Sequence, residues 1–140
     1  MIDVTNLKRL FQNKSEDLIT KLDEIGDLLE HGELDRDEVI TFSEHVLDLA
    51  IAEENIAVKE SLLRILLHAV IYQDVGKNVE WDKLANALPM LHDSILDYAL
   101  TIIGSSKNKK YLNVIEPYLH SQTDYIKQTA AEALIEISHN

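Results

Sequence analysis

A repeated spacing of apolar residues constrains this chain more than any other feature of its sequence. Four segments place apolar or small residues at positions i, i+4, i+7 and i+8, and successive copies begin 40, 37 and 31 residues apart. Each copy is one face of a helix, and recurrence at roughly 30–45 residues is typical of helical repeat arrays. The copies are Leu18, Leu22, Ile25 and Gly26; Val58, Leu62, Ile65 and Leu66; Ile95, Ala99, Ile102 and Ile103; Ile126, Ala130, Ala133 and Leu134. An array of this kind usually presents a surface to a partner.

Capping residues extend this pattern to eight helices in four antiparallel pairs. Asn13 with Glu16, and Asp35 with Glu38, have the spacing of a capping residue and its reciprocal acid, and Asn55 can cap a further helix. No segment alternates apolar and polar residues over six positions, so the fold class is all-α. The predicted helices span 4–12, 15–31, 36–52, 56–74, 79–91, 94–103, 109–120 and 124–138.

Glycine and proline mark the ends and bends of these helices. Gly32, Gly76 and Gly104 each follow the second helix of a pair, where we expect the left-handed backbone that glycine tolerates. Gly26 lies inside a predicted helix, where we expect it to allow a close approach of another helix. Pro89 and Pro117 occupy equivalent places in the first helices of pairs three and four. They predict a kink that recurs in both helices.

Length and composition indicate a single domain spanning 1–140 with a substantial core. The chain is 46% hydrophobic and contains no cysteine, which excludes disulfides, thiolate metal sites and a cysteine nucleophile. No apolar run reaches about 18 residues, so a membrane span is not expected. The first residues lack the basic-then-apolar pattern of a signal peptide, and we expect a cytoplasmic location.

The charge is strongly negative and unevenly distributed. The net charge is −12, of which −10 belongs to residues 1–60 and −2 to residues 61–140. An acidic surface can serve solubility alone, but a lopsided field also speeds association with a basic partner. Direct nucleic-acid binding is disfavoured because it needs a basic patch that neutralises phosphates.

Two acidic helix faces are the candidate partner-binding surface. On a helical wheel the acidic residues of helices 15–31 and 36–52 lie opposite the apolar faces, and a solvated face is the alternative explanation. Like charges at i, i+4 destabilise a helix by roughly 0.2–0.5 kcal/mol per pair, and no basic neighbour is visible on these stripes. The candidate contact residues are Asp23, Asp27, Glu30, Asp37, Glu44 and Asp48.

Trp81 is a possible apolar anchor for the same partner. Tryptophan is enriched at interface hot spots, and a position near the start of a helix disfavours full burial. A packing role between repeats is the alternative. Lys107, Lys109 and Lys110 form a basic cluster that is too small for nucleic-acid binding and is compatible with a linker.

No pattern in the chain points to catalysis, a metal or a cofactor. The sequence has no Gly-x-Ser-x-Gly, no glycine-rich phosphate loop and no His-Glu-x-x-His. One Glu-x-x-His spacing, Glu136 to His139, stands alone, whereas di-iron bundles need two such motifs and further carboxylates.

Nearly the whole chain resembles the HEAT-repeat family, and the motif is specific in the last third. Pro89 and Pro117 each lie two residues before a leucine, as in the proline-bent first helix of that family. The segment Ile126-Lys127-Gln128-Thr129-Ala130-Ala131-Glu132-Ala133-Leu134 matches its second helix, and Val58-Lys59 opens in the same way. Pairs one and three lack the basic residue at this point. The resemblance implies a HEAT-like α-solenoid of about four helix pairs with a curved binding surface.

Size, acidity and the absence of cysteine also make the chain similar to HEAT-like immunity proteins of bacterial contact-dependent growth inhibition systems. This resemblance implies a non-enzymatic toxin inhibitor that occludes a basic toxin domain, a nuclease, in a one-to-one complex. A HEAT-like scaffold for another cellular protein is the alternative, and an enzyme is a third class. Neither resemblance names the partner.

Overall fold

A computed structural model describes residues 3–13 and 17–139, and these residues are helical with no strand among them. The α-helices are α1 (Val4–Asn13), α2 (Leu18–His31), α3 (Arg36–Ala52), α4 (Ile56–Tyr72), α5 (Asp82–Ala87), α6 (Asp93–Ser105), α7 (Leu112–Ile115) and α8 (Asp124–Ser138). Four 3₁₀ segments lie at Gly76–Asn78, Leu88–Met90, Lys109–Tyr111 and Glu116–His120. The all-α prediction is confirmed for the described residues. The solenoid arrangement stays a prediction.

The chain divides into two compact units, unit 1 (Met1–Val75) and unit 2 (Gly76–Asn140). In unit 1, α2 and α3 both pack against α4, and in unit 2 α8 packs against α6 and against the 3₁₀ segment Glu116–His120. The repeated apolar spacing supplies these contacts, since most of its residues are buried on α2, α4, α6 and α8. The core residues with no exposed surface include Leu22, Val46, Leu62, Leu66, Ile103, Ile126 and Ala130.

The long helices of unit 1 begin at the predicted capping residues. The Asp35 carboxylate accepts a hydrogen bond from the Glu38 N–H at 3.1 Å, and the Asn55 side chain accepts one from the Val58 N–H at 3.1 Å. Each bond satisfies one of the N–H groups that the first turn of a helix leaves without a partner. The predicted cap of Asn13 and Glu16 lies outside the side chains that the structure describes.

Both prolines end an α-helix and begin a 3₁₀ segment. Pro89 is the second residue of Leu88–Met90, which follows α5, and Pro117 is the second residue of Glu116–His120, which follows α7. Proline has no N–H to continue the α-helical bonding and clashes with the preceding turn. The continuous helices predicted over 79–91 and 109–120 are therefore wrong, and each is a short α-helix flanked by tighter turns.

The glycines do not adopt the left-handed backbone that their positions predicted. Asp74 and Lys107 adopt it instead, each with a φ of 52° two residues after the end of a long helix. Gly32 is extended, and Gly104 lies inside α6, where an added Cβ would come within 2.9 Å of the Ala133 Cβ. The Gly26 carbonyl oxygen lies 2.8 Å from Nδ1 of His68 on α4, and an added Cβ would come within 3.3 Å of the same nitrogen.

Candidate functional site

The outer face of α3 carries three of the predicted contact residues. Asp37, Glu44 and Asp48 are exposed, and they share one stripe of the helix with exposed Thr41 and Ala52. The opposite side of α3 is buried through Val39, Phe42, Ser43, Val46, Leu47 and Ala50. Because the helix is amphipathic over its whole length, packing of the apolar face turns the carboxylates outward together. The structure therefore places these three residues where a partner can reach them.

Arg36, at the start of α3, is directed to the end of another helix. Its guanidinium donates hydrogen bonds to the Asp74 carbonyl oxygen at 2.7 Å and to the Gln73 carbonyl oxygen at 3.4 Å. Carbonyl groups at a helix C-terminus carry partial negative charge and favour a cation. Arg36 thus stabilises the end of α4.

The predicted acidic contact residues of α2 differ from one another in exposure. Asp27 is exposed, but Asp23 and Glu30 are half-buried. The Asp23 carboxylate lies 3.5 Å from the Arg64 guanidinium of α4, which also contacts Glu60 at 3.4 Å. Asp23 therefore has a basic neighbour in the folded chain, although none lies on its own helix stripe. The counter-charge comes from a helix that packs on α2, and a helical wheel of α2 alone could not show it.

Trp81 is not an exposed anchor, and its prediction as a partner contact is wrong. The side chain has no exposed surface, and its indole N–H donates a hydrogen bond to the Gly76 carbonyl oxygen at 2.8 Å. The Trp81 backbone N–H donates to the Tyr111 hydroxyl at 3.1 Å. Trp81 is therefore a core residue of unit 2. Its position at the start of α5 suggested exposure, but the tertiary fold buries it.

A polar network that the sequence analysis missed surrounds this tryptophan. The Tyr111 hydroxyl lies 2.9 Å from Glu80 Oε1 and 2.8 Å from Asp82 Oδ1, and shares its proton between the two carboxylates. Lys110 Nζ lies 2.6 Å from Glu80 Oε1 and 3.1 Å from Asp82 Oδ1. Glu80 and Asp82 precede Lys110 and Tyr111 by about one repeat length. The repeat spacing was therefore the sequence signal that could have predicted their contact.

The ionisation of this network follows from its geometry. Burial, followed by the hydrogen bonds to Asp82 and Glu80, raises the pKa of Tyr111. The hydrogen bond from Tyr111, followed by that from Lys110, lowers the pKa of Asp82. The hydrogen bonds to the two carboxylates raise the pKa of Lys110. At neutral pH the network therefore holds a protonated Tyr111, a charged Lys110 and an ionised Asp82.

Among residues 3–13 and 17–139, no group of three or more His, Asp and Glu side chains is placed to hold a metal ion. Glu136 and His139 are exposed at the end of α8. In the same described part of the chain, no helix is both long and apolar enough to cross a membrane.

Comparisons of the chain with protein-family models, with curated proteins and with solved structures found no match. The resemblances to HEAT repeats and to immunity proteins therefore depend on the sequence features described above and stay predictions.

Proposed function

We propose that this chain is a non-enzymatic binding protein whose α3 stripe, formed by Asp37, Glu44 and Asp48, docks on a basic partner protein. The exposure of all three carboxylates on one helix face supports this proposal most directly. The stripe belongs to unit 1, which carries 17 acidic and 7 basic residues, whereas unit 2 carries 8 and 6. The negative field is thus concentrated around the proposed contact surface.

The most specific form of the proposal is a cytoplasmic immunity protein for a toxin with nuclease activity. A nuclease needs a basic cleft to hold the phosphates of its substrate. An acidic helix face complements such a cleft, steers the encounter and excludes the nucleic acid from the active site. Asp27 and Glu30 on α2 would contribute to the field, and Asp23, paired with Arg64, would contribute less. We expect one copy of the chain per toxin domain.

The alternative function is a HEAT-like scaffold for a partner that is not a toxin. The packing of α2 on α4 and of α6 on α8 within the two units is the contact expected between successive helix pairs. This packing favours a binding array without favouring one class of partner. Protection against a toxin is therefore the observation that separates the two functions.

The test is co-expression of the chain with the C-terminal domain encoded by the adjacent upstream gene, followed by titration of the purified pair. We expect a one-to-one complex of nanomolar affinity that abolishes the toxicity of the partner. Absence of both a complex and protection would overturn the immunity proposal, and a pull-down would then test the scaffold.

A charge-reversal pair of variants tests the docking surface itself. The triple variant D37K/E44K/D48K changes the α3 stripe, and E116K/E132K/E136K makes the same change in net charge with exposed residues of unit 2. We expect the first variant to slow association at low salt by about tenfold or more, and the second to have a much smaller effect. Equal effects of the two variants would show that net charge acts, rather than the α3 stripe.

A further inference from the structure

An exposed apolar patch, the α4 patch, is formed by Ile71 and Tyr72 at the end of α4 in unit 1. Ile71 is 53% exposed and Tyr72 is 48% exposed, and they follow His68 by three and four positions. Residues at these spacings lie next to one another on a helix surface. Unit 1 contains two phenylalanines, of which Phe42 is buried and Phe11 is half-buried. Tyr72 therefore supplies the exposed aromatic ring of this unit.

The tyrosine ring of the α4 patch is held by a neighbouring side chain. The Tyr72 and His68 rings meet edge to face, with 5.5 Å between their centroids and 86° between their planes. The His68 ring is itself fixed, because its Nδ1 lies 2.8 Å from the Gly26 carbonyl oxygen of α2. A side chain that is ordered before binding loses less conformational freedom in a complex. The packing of α2 on α4 thus prepares the patch for contact in the free chain.

The backbone that follows the α4 patch is tied to two other helices. The Gln73 side chain donates hydrogen bonds to the carbonyl oxygens of Leu29 and Gly32, at 2.5 Å and 3.0 Å. Arg36, at the start of α3, donates to the Asp74 carbonyl oxygen at 2.7 Å. These bonds bring together the end of α2, the start of α3 and the end of α4. The patch therefore lies at the end of unit 1 where the α3 stripe begins.

Acidic side chains are present at the same end of unit 1. Asp74 follows Tyr72 by two residues and is exposed, and Asp37 and Glu38 in the first turn of α3 are also exposed. The guanidinium of Arg36, at this end too, is engaged with the carbonyl groups that end α4. A second copy of the chain would bring like charges together here, which disfavours self-association through the patch. The surroundings instead complement an apolar group that is flanked by basic side chains.

We propose that the α4 patch is the apolar anchor for the basic partner of the α3 stripe, and that the partner places an apolar side chain, flanked by lysine or arginine, against Tyr72. This inference rests on the proposed function. Tyrosine is enriched among the residues that dominate binding energy at interfaces. The carboxylates of the stripe speed the encounter, whereas the apolar contact slows dissociation. The patch takes the role that was predicted for Trp81, which the fold buries.

The first test uses two peptides of equal charge, Arg-Arg-Leu-Leu-Arg-Arg and Arg-Arg-Ser-Ser-Arg-Arg, titrated into the ¹⁵N-labelled full chain. We expect saturable shifts at the backbone amides of residues 67–74, and about tenfold tighter binding of the leucine peptide, because leucine buries apolar surface on the patch. The variant I71A/Y72A should remove this preference. Equal affinities of the two peptides for the unmodified chain would overturn the proposal.

A matched variant of unit 2 is the control for this titration. Y125A/I135A also truncates one tyrosine and one isoleucine, which are 47% and 58% exposed on α8. We expect it to keep the preference for the leucine peptide, because it leaves the α4 patch intact. A preference that survives in I71A/Y72A, or that Y125A/I135A removes to the same extent, would overturn the proposal.

The second test separates this inference from the proposed function, and it uses the complex with the domain encoded by the adjacent upstream gene. We expect I71A/Y72A to raise the dissociation rate by about thirtyfold and to change the association rate by less than about twofold. A complex whose dissociation rate I71A/Y72A leaves unchanged would overturn the anchor and retain the α3 stripe. Absence of a complex, with the leucine preference present at the patch, would overturn the toxin partner and support the anchor.

Sedimentation of the free chain tests the other possible occupant of the α4 patch. We expect a monomer at the concentrations of the peptide titration. A dimer that I71A/Y72A dissociates would assign the patch to a second copy of the chain and overturn the proposal. Circular dichroism checks the variant itself, which should keep its helical signal because both side chains are exposed and alanine favours the helix.

Discussion

Unit 1 and unit 2 carry the same apolar spacing, but they differ in net charge and in the length of their other helices. Unit 1 has a net charge of −10 and two helices of 17 residues that begin at side-chain caps. Unit 2 has a net charge of −2, and its helices α5 and α7 are only 6 and 4 residues long. One repeated pattern thus supports two different surfaces, because the apolar spacing specifies the buried side and leaves the exposed side unconstrained.

Unit 2 also differs in the side-chain contacts that lie beside its short helices. Short helices bury little apolar surface and leave many end groups without intrahelical partners. Side-chain contacts join the start of α5 to the 3₁₀ segment Lys109–Tyr111. They involve Trp81 and the network of Tyr111, Glu80, Asp82 and Lys110. We infer that unit 2 depends on a few side chains where unit 1 depends on helix length and caps.

Truncation of Trp81 should have the largest effect. W81A removes a fully buried side chain and its hydrogen bond to Gly76, and we expect a loss of about 3–5 kcal/mol in the free energy of unfolding. Urea denaturation followed by circular dichroism measures it. M90A is the control, because Met90 is 84% exposed and its truncation should change stability by at most about 0.5 kcal/mol. A loss below about 1 kcal/mol for W81A would contradict the buried position.

Removal of the Tyr111 hydroxyl should have the next largest effect. Y111F leaves the Trp81 N–H without its partner and takes a donor from two carboxylates, and we expect a loss of about 1–3 kcal/mol. Y118F removes a tyrosine hydroxyl elsewhere in unit 2 and is the matched control. Equal losses in the two variants would show that the network adds nothing.

The same network predicts how stability depends on pH. The pKa of Asp82 is lower in the folded chain, so its contribution is present above about pH 4 and is lost as the pH falls through the lowered value. The pKa values of Tyr111 and Lys110 are raised, so their contributions are present below about pH 10 and are lost as the pH rises further. Denaturation midpoints measured across this range should depend less on pH in Y111F than in the unmodified chain. Identical profiles would argue against the network.

The two helix-interior glycines distinguish the units at a finer level. In G104A the new Cβ would meet the Ala133 Cβ at 2.9 Å, and we expect a loss of about 1–3 kcal/mol. In G26A the nearest atom is the His68 ring at 3.3 Å, and a gain in helix propensity of about 1 kcal/mol offsets the contact. Thermal melts of the two variants should therefore separate clearly. A greater loss in G26A than in G104A would reverse the comparison.

The caps of unit 1 should have the smallest effects. D35A and N55A each remove one side-chain bond to a helix N-terminus, and we expect losses of about 1 kcal/mol each. T41A, on the exposed side of α3, is the control and should not destabilise the chain, because alanine favours the helix. The measurement is the denaturant midpoint, and unchanged midpoints in both cap variants would show that these helices do not need their caps.

Much of the helical structure could be predicted from local sequence. The bounds of α3 agree with the prediction, and those of α4 agree except for its last turn, because caps and apolar periodicity act within a few residues. The first helices of the last two pairs were predicted too long, because proline was expected to bend the α-helix and instead ends it. The left-handed backbone fell on Asp74 and Lys107 because helix length, which tertiary packing sets, determines which residue occupies that position.

The sequence by itself determined the all-α class, the repeated buried face and the exposed acidic stripe of α3, because each follows from spacing along one helix. Only the tertiary structure decided that Trp81 is buried, that Asp23 faces Arg64 and that Arg36 reaches the end of α4. These features join residues about 30 to 40 positions apart. Periodicity shows which side of a helix is buried, but the neighbouring residues are chosen by the packing of other helices against it.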